Sequence, residues 1–179
     1  MNLNVLATAV AMLALGAAAP ASAQVFGGDT TGSPTYNRAF ASFSGMSAAG
    51  VGVAYDTMDF TVTVSGAYNF LSAATGGWDN FLFLYSPTFN PASPLINGVK
   101  GNDDFPNIGN AGFNAVPLTA GTAYILVTTG FDSTEFGAYT NTITGPGMAV
   151  AVPEPATYGL MALGLFAVGA SVRRRHTQG

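Results

Sequence analysis

The densest set of hard oxygen donors in the chain is Asn102-Asp103-Asp104. A calcium ion takes about six to eight oxygens, and adjacent carboxylates in a turn, with backbone carbonyls around them, supply several. The same residue types also close turns through hydrogen bonds to their own backbone, which needs no ion. The spacing matches neither an EF-hand loop nor a glycine-rich nonapeptide repeat. Two carboxylate pairs, Asp56 with Asp59 and Asp103 with Asp104, raise glycoside hydrolysis, which needs carboxyl groups about 5 to 10 Å apart across a cleft. Neighbours on one turn rarely face each other across a substrate. The chain has no cysteine, and its only histidine, His176, stands near the C-terminal end. The body therefore lacks a thiolate and an imidazole for nucleophilic catalysis or zinc. No catalytic residue is assigned, and the chain is expected not to be an enzyme. Trp78, Phe89 and Phe105, with Tyr85 and Phe113, offer ring faces on which sugars could stack, whereas Phe81, Phe83 and Tyr124 sit in runs that fill a core.

These residues need strands and turns to hold them, and the composition supplies both. Charged residues make up 8% of the 179, aromatic residues 12%, and there are 23 glycines. That combination belongs to a strand-and-turn protein and not to a disordered one. Asp59 to Ser65 alternates apolar and polar, as a half-buried strand does. Phe81 to Tyr85 and Ala123 to Thr128 are continuous apolar runs, expected as central strands; Arg38 to Phe43, Ala67 to Leu71 and Gly137 to Ile143 are weaker candidates. The expectation is an all-β fold, an antiparallel β-sandwich or jelly-roll-like domain of about seven or eight strands, because each half-apolar sheet must cover another. The body is placed at 37–144, with 24–36 a flexible leader and 145–152 a spacer rich in Gly and Pro. Between Gln24 and Val152 only Arg38 and Lys100 oppose Asp29, Asp56, Asp59, Asp79, Asp103, Asp104, Asp132 and Glu135. So acidic a body repels phosphate, which argues against a nucleic-acid partner.

Both ends carry export features. Val5 to Ala19 is an apolar run followed by Ala21-Ser22-Ala23 and then Gln24, the small-x-small pattern that signal peptidase cuts after. Residues 1–23 are thus expected to be a signal peptide, with Ala21, Ala23 and Gln24 at the cleavage site and the Sec translocon and signal peptidase as partners. Its departure from the usual pattern is that Met1 to Asn4 carries no Lys or Arg. At the other end, Val152-Pro153-Glu154-Pro155 precedes an uncharged run, 156–172, and then Arg173-Arg174-Arg175. At about 1.5 Å per residue that run is near the lower limit for crossing a bilayer as a helix, and the arginines would stay cytoplasmic.

VPEPATYGLMALGLFAVGASVRRR resembles the PEP-CTERM sorting signal: a Pro-Glu-Pro motif, a short glycine-containing membrane helix and a basic cluster, here spanning 153–176 before the tail 177–179. The resemblance implies recognition by an exosortase, cleavage near Pro153, Glu154 and Pro155, and a transient membrane anchor. It further implies delivery to the surface or extracellular matrix of a Gram-negative-type bacterium, in a biofilm or exopolysaccharide setting. The middle of the chain, about 55–143, is similar to bacterial pre-peptidase C-terminal (PPC-type) sandwiches. It carries WDNFLFLY, an Asn-Asp-Asp turn and AGTAYILV. That resemblance implies an accessory domain that binds or supports, sometimes with calcium. It would bring Asp79, after Gly76-Gly77-Trp78, toward Asn102, Asp103 and Asp104 as ligands. Together these features point to a structural or adhesive matrix protein. The alternatives are a calcium-dependent carbohydrate-binding module and a degenerate hydrolase accessory domain.

Overall fold

The computed structural model describes residues 21–152. The signal-peptide run, the Pro-Glu-Pro tripeptide, the 156–172 segment and Arg173, Arg174 and Arg175 lie outside the described residues. Within them the fold is all-β, with no helix long and apolar enough to cross a membrane. Ten strands run in the order β1 (Ser22–Asp29), β2 (Thr35–Tyr36), β3 (Val53–Val62), β4 (Gly66–Ala74), β5 (Asn80–Tyr85), β6 (Gly98–Asn102), β7 (Asn110–Leu118), β8 (Tyr124–Gly130), β9 (Ala138–Gly145) and β10 (Ala149–Ala151). One sheet has the order β1-β9-β4-β7; the other runs β10-β3-β8-β5-β6, with β2 also on β3. Every pairing is antiparallel. Setting aside the short β2 and β10, the eight remaining strands pass from one sheet to the other at every step but the β5–β6 hairpin, the connectivity of a jelly roll.

Two apolar layers explain the two kinds of strand pattern. Between the sheets, Phe60, Val62, Leu82, Leu84 and Leu126 meet Tyr68, Phe70, Phe113, Leu118 and Ile143. On the outer face of the larger sheet, Phe81, Phe83, Tyr85, Ile125 and Val127 form a second cluster with Ala39, packed under Ala41, Phe43, Tyr55 and Phe89. β5 and β8 are therefore buried on both faces at every position. That is why their sequences are continuous apolar runs and not alternating ones. The outer layer is closed by two connections. One is the flap 37–50, pinned by Arg38 N–H to Gly50 O and Phe40 N–H to Gly45 O. The other is the loop 86–97, held by the Tyr85 hydroxyl donating to Pro94 O at 2.9 Å.

The domain is wider than 37–144. Residues 22–29, expected within a signal-peptide end and a flexible leader, form β1, paired along its whole length with β9 from Ser22–Gly145 to Asp29–Ala138. Ala23 and Gln24, the expected cleavage junction, lie inside this strand. Within the expected spacer, 149–151 form β10 on β3. The Gln24 side-chain oxygen accepts the Ala149 N–H at 2.8 Å, tying the first strand to the last across the two sheets. Arg38 to Phe43 is no strand; it belongs to the flap, which touches itself through an isolated Ala39–Met46 bridge.

Candidate functional site

The candidate site forms at the end of the sandwich where β5 begins, β6 ends and the β8–β9 loop crosses. Gly76 and Gly77 take positive φ, 95° and 84°, in the turn that delivers Trp78 and Asp79 to β5. Such φ values favour glycine, and they fix the point at which the carboxylate enters. Trp78 is 7% exposed. Its indole donates to Ala138 O at 3.0 Å, anchoring the turn to β9. The Asp79 N–H donates to Glu135 Oε2 at 2.6 Å. β6 pairs with β5 in a register that sets Asn102 opposite Leu82. Continued by one and two residues, that register runs Asp103 and Asp104 back along β5 toward Asp79.

The structure thus brings Asp79, Asp103 and Asp104 into one electrostatic neighbourhood and adds Glu135. Burial, then Asp104 and Glu135, push the Asp79 carboxyl above the usual range. Burial, then Asp79 and Asp104, raise Asp103 to about 6. Asp79 Oδ1 and Asp103 Oδ1 are both buried and without a hydrogen-bond partner. Buried polar atoms are nearly always paired, so two unpaired carboxylate oxygens in one place are informative. Asn102 takes another role: its side-chain oxygen lies 3.4 Å from the Gly112 N–H and links β6 to β7. Among the described residues no group of three or more His, Asp and Glu side chains stands ready to hold a metal ion.

The cation facing these acids is Arg38, which is 2% exposed. Its Nε donates to Gly130 O and Phe131 O at 3.2 and 3.1 Å, Nη2 to Phe131 O at 2.6 Å, and Nη1 to Ala39 O at 3.2 Å. The guanidinium lies 4.2 Å from the Phe81 ring centre and 5.2 Å from that of Phe131. An open cavity of about 380 Å³ beside it is lined by Arg38, Phe40, Phe81, Asp103 and Phe131, with alanines of the flap. Phe40 and Phe131 are 48% and 36% exposed. Sequence reasoning missed Arg38 and Glu135 as members of this site. The signal for Arg38 was available: a charged residue inside an apolar stretch of a body with only two cations.

The expected sugar platform is not assembled. Trp78 is buried in its turn. Phe89 packs edge-on to Tyr36 and Tyr55 in the outer layer. Phe105 lines a separate recess on the four-stranded sheet with Asn69, Leu71, Asn114, Thr142 and Thr144. The three rings are drawn into different layers because each finds apolar neighbours close to its own strand. Nor do the carboxylates of Asp56 and Asp59 share a cleft: Asp56 accepts the Tyr139 hydroxyl at 2.7 Å, while Asp59 lines a groove with Phe89 and Val152.

At the opposite end of the chain the decisive feature is linear. β10 ends at Ala151, and Val152 N–H still donates to Asp59 O at 2.8 Å, so the sheet runs to the residue before Pro153. Residues 151–175 match the family model of the PEP-CTERM protein-sorting motif. The chain carries a PEP-CTERM sorting signal. No curated protein is similar enough to the chain to match it. The motif marks an exported protein that is sorted at the membrane toward the surface, with an exosortase as its processing partner.

Proposed function

We propose that the chain is a non-catalytic jelly-roll protein that an exosortase delivers to the cell surface or extracellular matrix, where it serves a structural or adhesive role. The observation that carries this reading is the sorting motif at 151–175, joined directly to a folded sandwich. A body without cysteine or histidine, in which Asp56 and Asp59 face different partners, gives no support to a hydrolase. Signal peptidase, the Sec translocon and a transient membrane anchor belong to the same reading. Intact mass of the protein isolated from its native surface tests it. The expected mass runs from Gln24 to within Pro153–Pro155, with or without an added group. A full-length mass in the cytosol overturns it.

One observation favours a second reading, a calcium-dependent binding module in an exopolysaccharide matrix. Asp79 Oδ1 and Asp103 Oδ1 are buried and unpartnered, and each carboxyl is pushed upward by burial and by the other acids. A calcium ion would give these oxygens a partner and draw Asp104 toward them. The aromatic walls of the adjoining cavity, Phe40 and Phe131, replace the expected Trp78, Phe89 and Phe105 as the surface for a sugar ring. Calcium at about 100 times its dissociation constant should stabilise the fold by about 2.7 kcal/mol. The assay is thermal melting in calcium against chelator, and identical curves dismiss the ion. Pull-down on the producer's own polysaccharide then separates a sugar binder from an inert matrix component.

A further inference from the structure

The distance between the folded domain and the processing motif is set by the chain itself. Val152 is hydrogen-bonded to β3 through Asp59 O, and the matched motif already begins at Ala151 inside β10. At about 3.3 to 3.6 Å per extended residue, Pro153 to Pro155 reach no further than about 11 Å from Val152. Even a small protein domain is about 30 Å across. An enzyme that closes around this tripeptide therefore has the sandwich inside its footprint.

Two features stand where it arrives. β10 is the end strand of its sheet among the described residues: β3 holds one edge, and on the other the Ala149 N–H is taken by the Gln24 side chain. Val150 and Val152, exposed at 44% and 45%, flank that edge. Beside it lies a groove of about 420 Å³, lined by Thr57, Phe60, Phe89, Tyr124, Ile125 and Val152. No basic residue lines it; Asp59 is its one charged group. The loop 86–97 forms one wall of the groove through Pro87, Thr88 and Phe89, and β3, β8 and Val152 form the rest.

We infer that the sorting enzyme docks on the folded domain, seating an apolar side chain in the groove beside Val152 as it closes on the tripeptide. The inference rests on the exosortase reading, and it adds that the enzyme reads the sandwich as well as the linear motif. The chain is then processed after folding, and the domain contributes to substrate choice.

The test follows processing of the full chain, by pulse-chase, in cells with and without the producer's exosortase. One variant inserts eight Gly and Ser residues and a second Ala-Val between Val152 and Pro153, so that the matched residues stay contiguous and only their distance from the groove changes. The second, Thr57→Arg with Ala123→Arg, puts charge at two exposed groove positions. Docking predicts at least tenfold slower processing for both, with the melting temperature of the second unchanged. A wild-type or faster rate in either variant overturns the inference, a faster insertion showing that the domain only obstructs. If the groove variant instead alters self-association and leaves processing alone, the groove belongs to a second copy and the inference fails. Should the unaltered chain stay uncut with the enzyme present, the sorting reading itself falls.

Discussion

Replacing Arg38 by Met asks how much of the fold depends on one buried cation. The side chain donates to three carbonyls, Gly130 O, Phe131 O and Ala39 O, in four contacts between 2.6 and 3.2 Å. Methionine keeps apolar bulk against Phe81 but offers no donor. Each carbonyl left unpaired costs about 1 to 3 kcal/mol. Phe131 is partly exposed, so water can reach its carbonyl and lower that share. Relief of the buried guanidinium's desolvation returns a further part. A net loss of about 3 kcal/mol follows, which in a domain of about 130 residues lowers the melting temperature by about 10 °C. Arg38→Lys keeps the charge but loses the planar fork, and should fall between wild type and Met. The assay is urea and thermal unfolding of the processed protein followed by tryptophan fluorescence, Trp78 being the single reporter. A loss below about 1 kcal/mol for Arg38→Met, or equal losses for Lys and Met, refutes the reasoning.

Three further outcomes can be checked on the same preparation. The Asp103 carboxyl sits at about 6 in the folded chain against an ordinary 3.8, so the folded state holds the proton more tightly. Its contribution is therefore favourable below about pH 4 and declines as pH rises toward 6. Asp103→Asn should flatten that decline and raise stability at neutral pH by about 1 kcal/mol after solvent screening, as read from unfolding curves at pH 4, 5, 6 and 7. Gly130→Ala should cost about 3 kcal/mol, because a Cβ would stand 2.0 Å from the Glu135 carbonyl oxygen, a backbone atom that cannot rotate away. Leu126→Ala, at a position 1% exposed between the sheets, should also cost about 3 kcal/mol while leaving the calcium response unchanged.

The parts of the fold visible in the sequence are those whose burial leaves a simple pattern. Phe81 to Tyr85 and Ala123 to Thr128 fall in β5 and β8, and their unbroken apolar runs reflect the two layers that enclose them. The alternation from Asp59 belongs to the end of β3. The edge strands were hidden for identifiable reasons. β1 contains Gly27 and Gly28 and so has the composition of a leader; yet a Cβ at Gly28 would stand 2.3 Å from the Tyr139 hydroxyl, so the glycine is a packing requirement. β7 loses its alternation at a register shift opposite Tyr68 to Phe70, where Ala115 takes φ 56°, and it carries Pro117, which an edge strand accepts. At the candidate site, Asp79, Asp103 and Asp104 were legible as oxygen-rich turns. Arg38 and Glu135 reach it from the flap and the β8–β9 loop, contacts made across 92 or 56 residues that no local pattern records. The sorting motif was legible because processing enzymes read linear sequence.

The pairing of Ser22 with Gly145 and the grip of Gln24 on Ala149 have a topological consequence. The first and last strands of the described domain begin at the same pole of the sandwich. Loss of the first residues of β1 would therefore take a partner from β10 as well, so the two ends of the folded body are coupled.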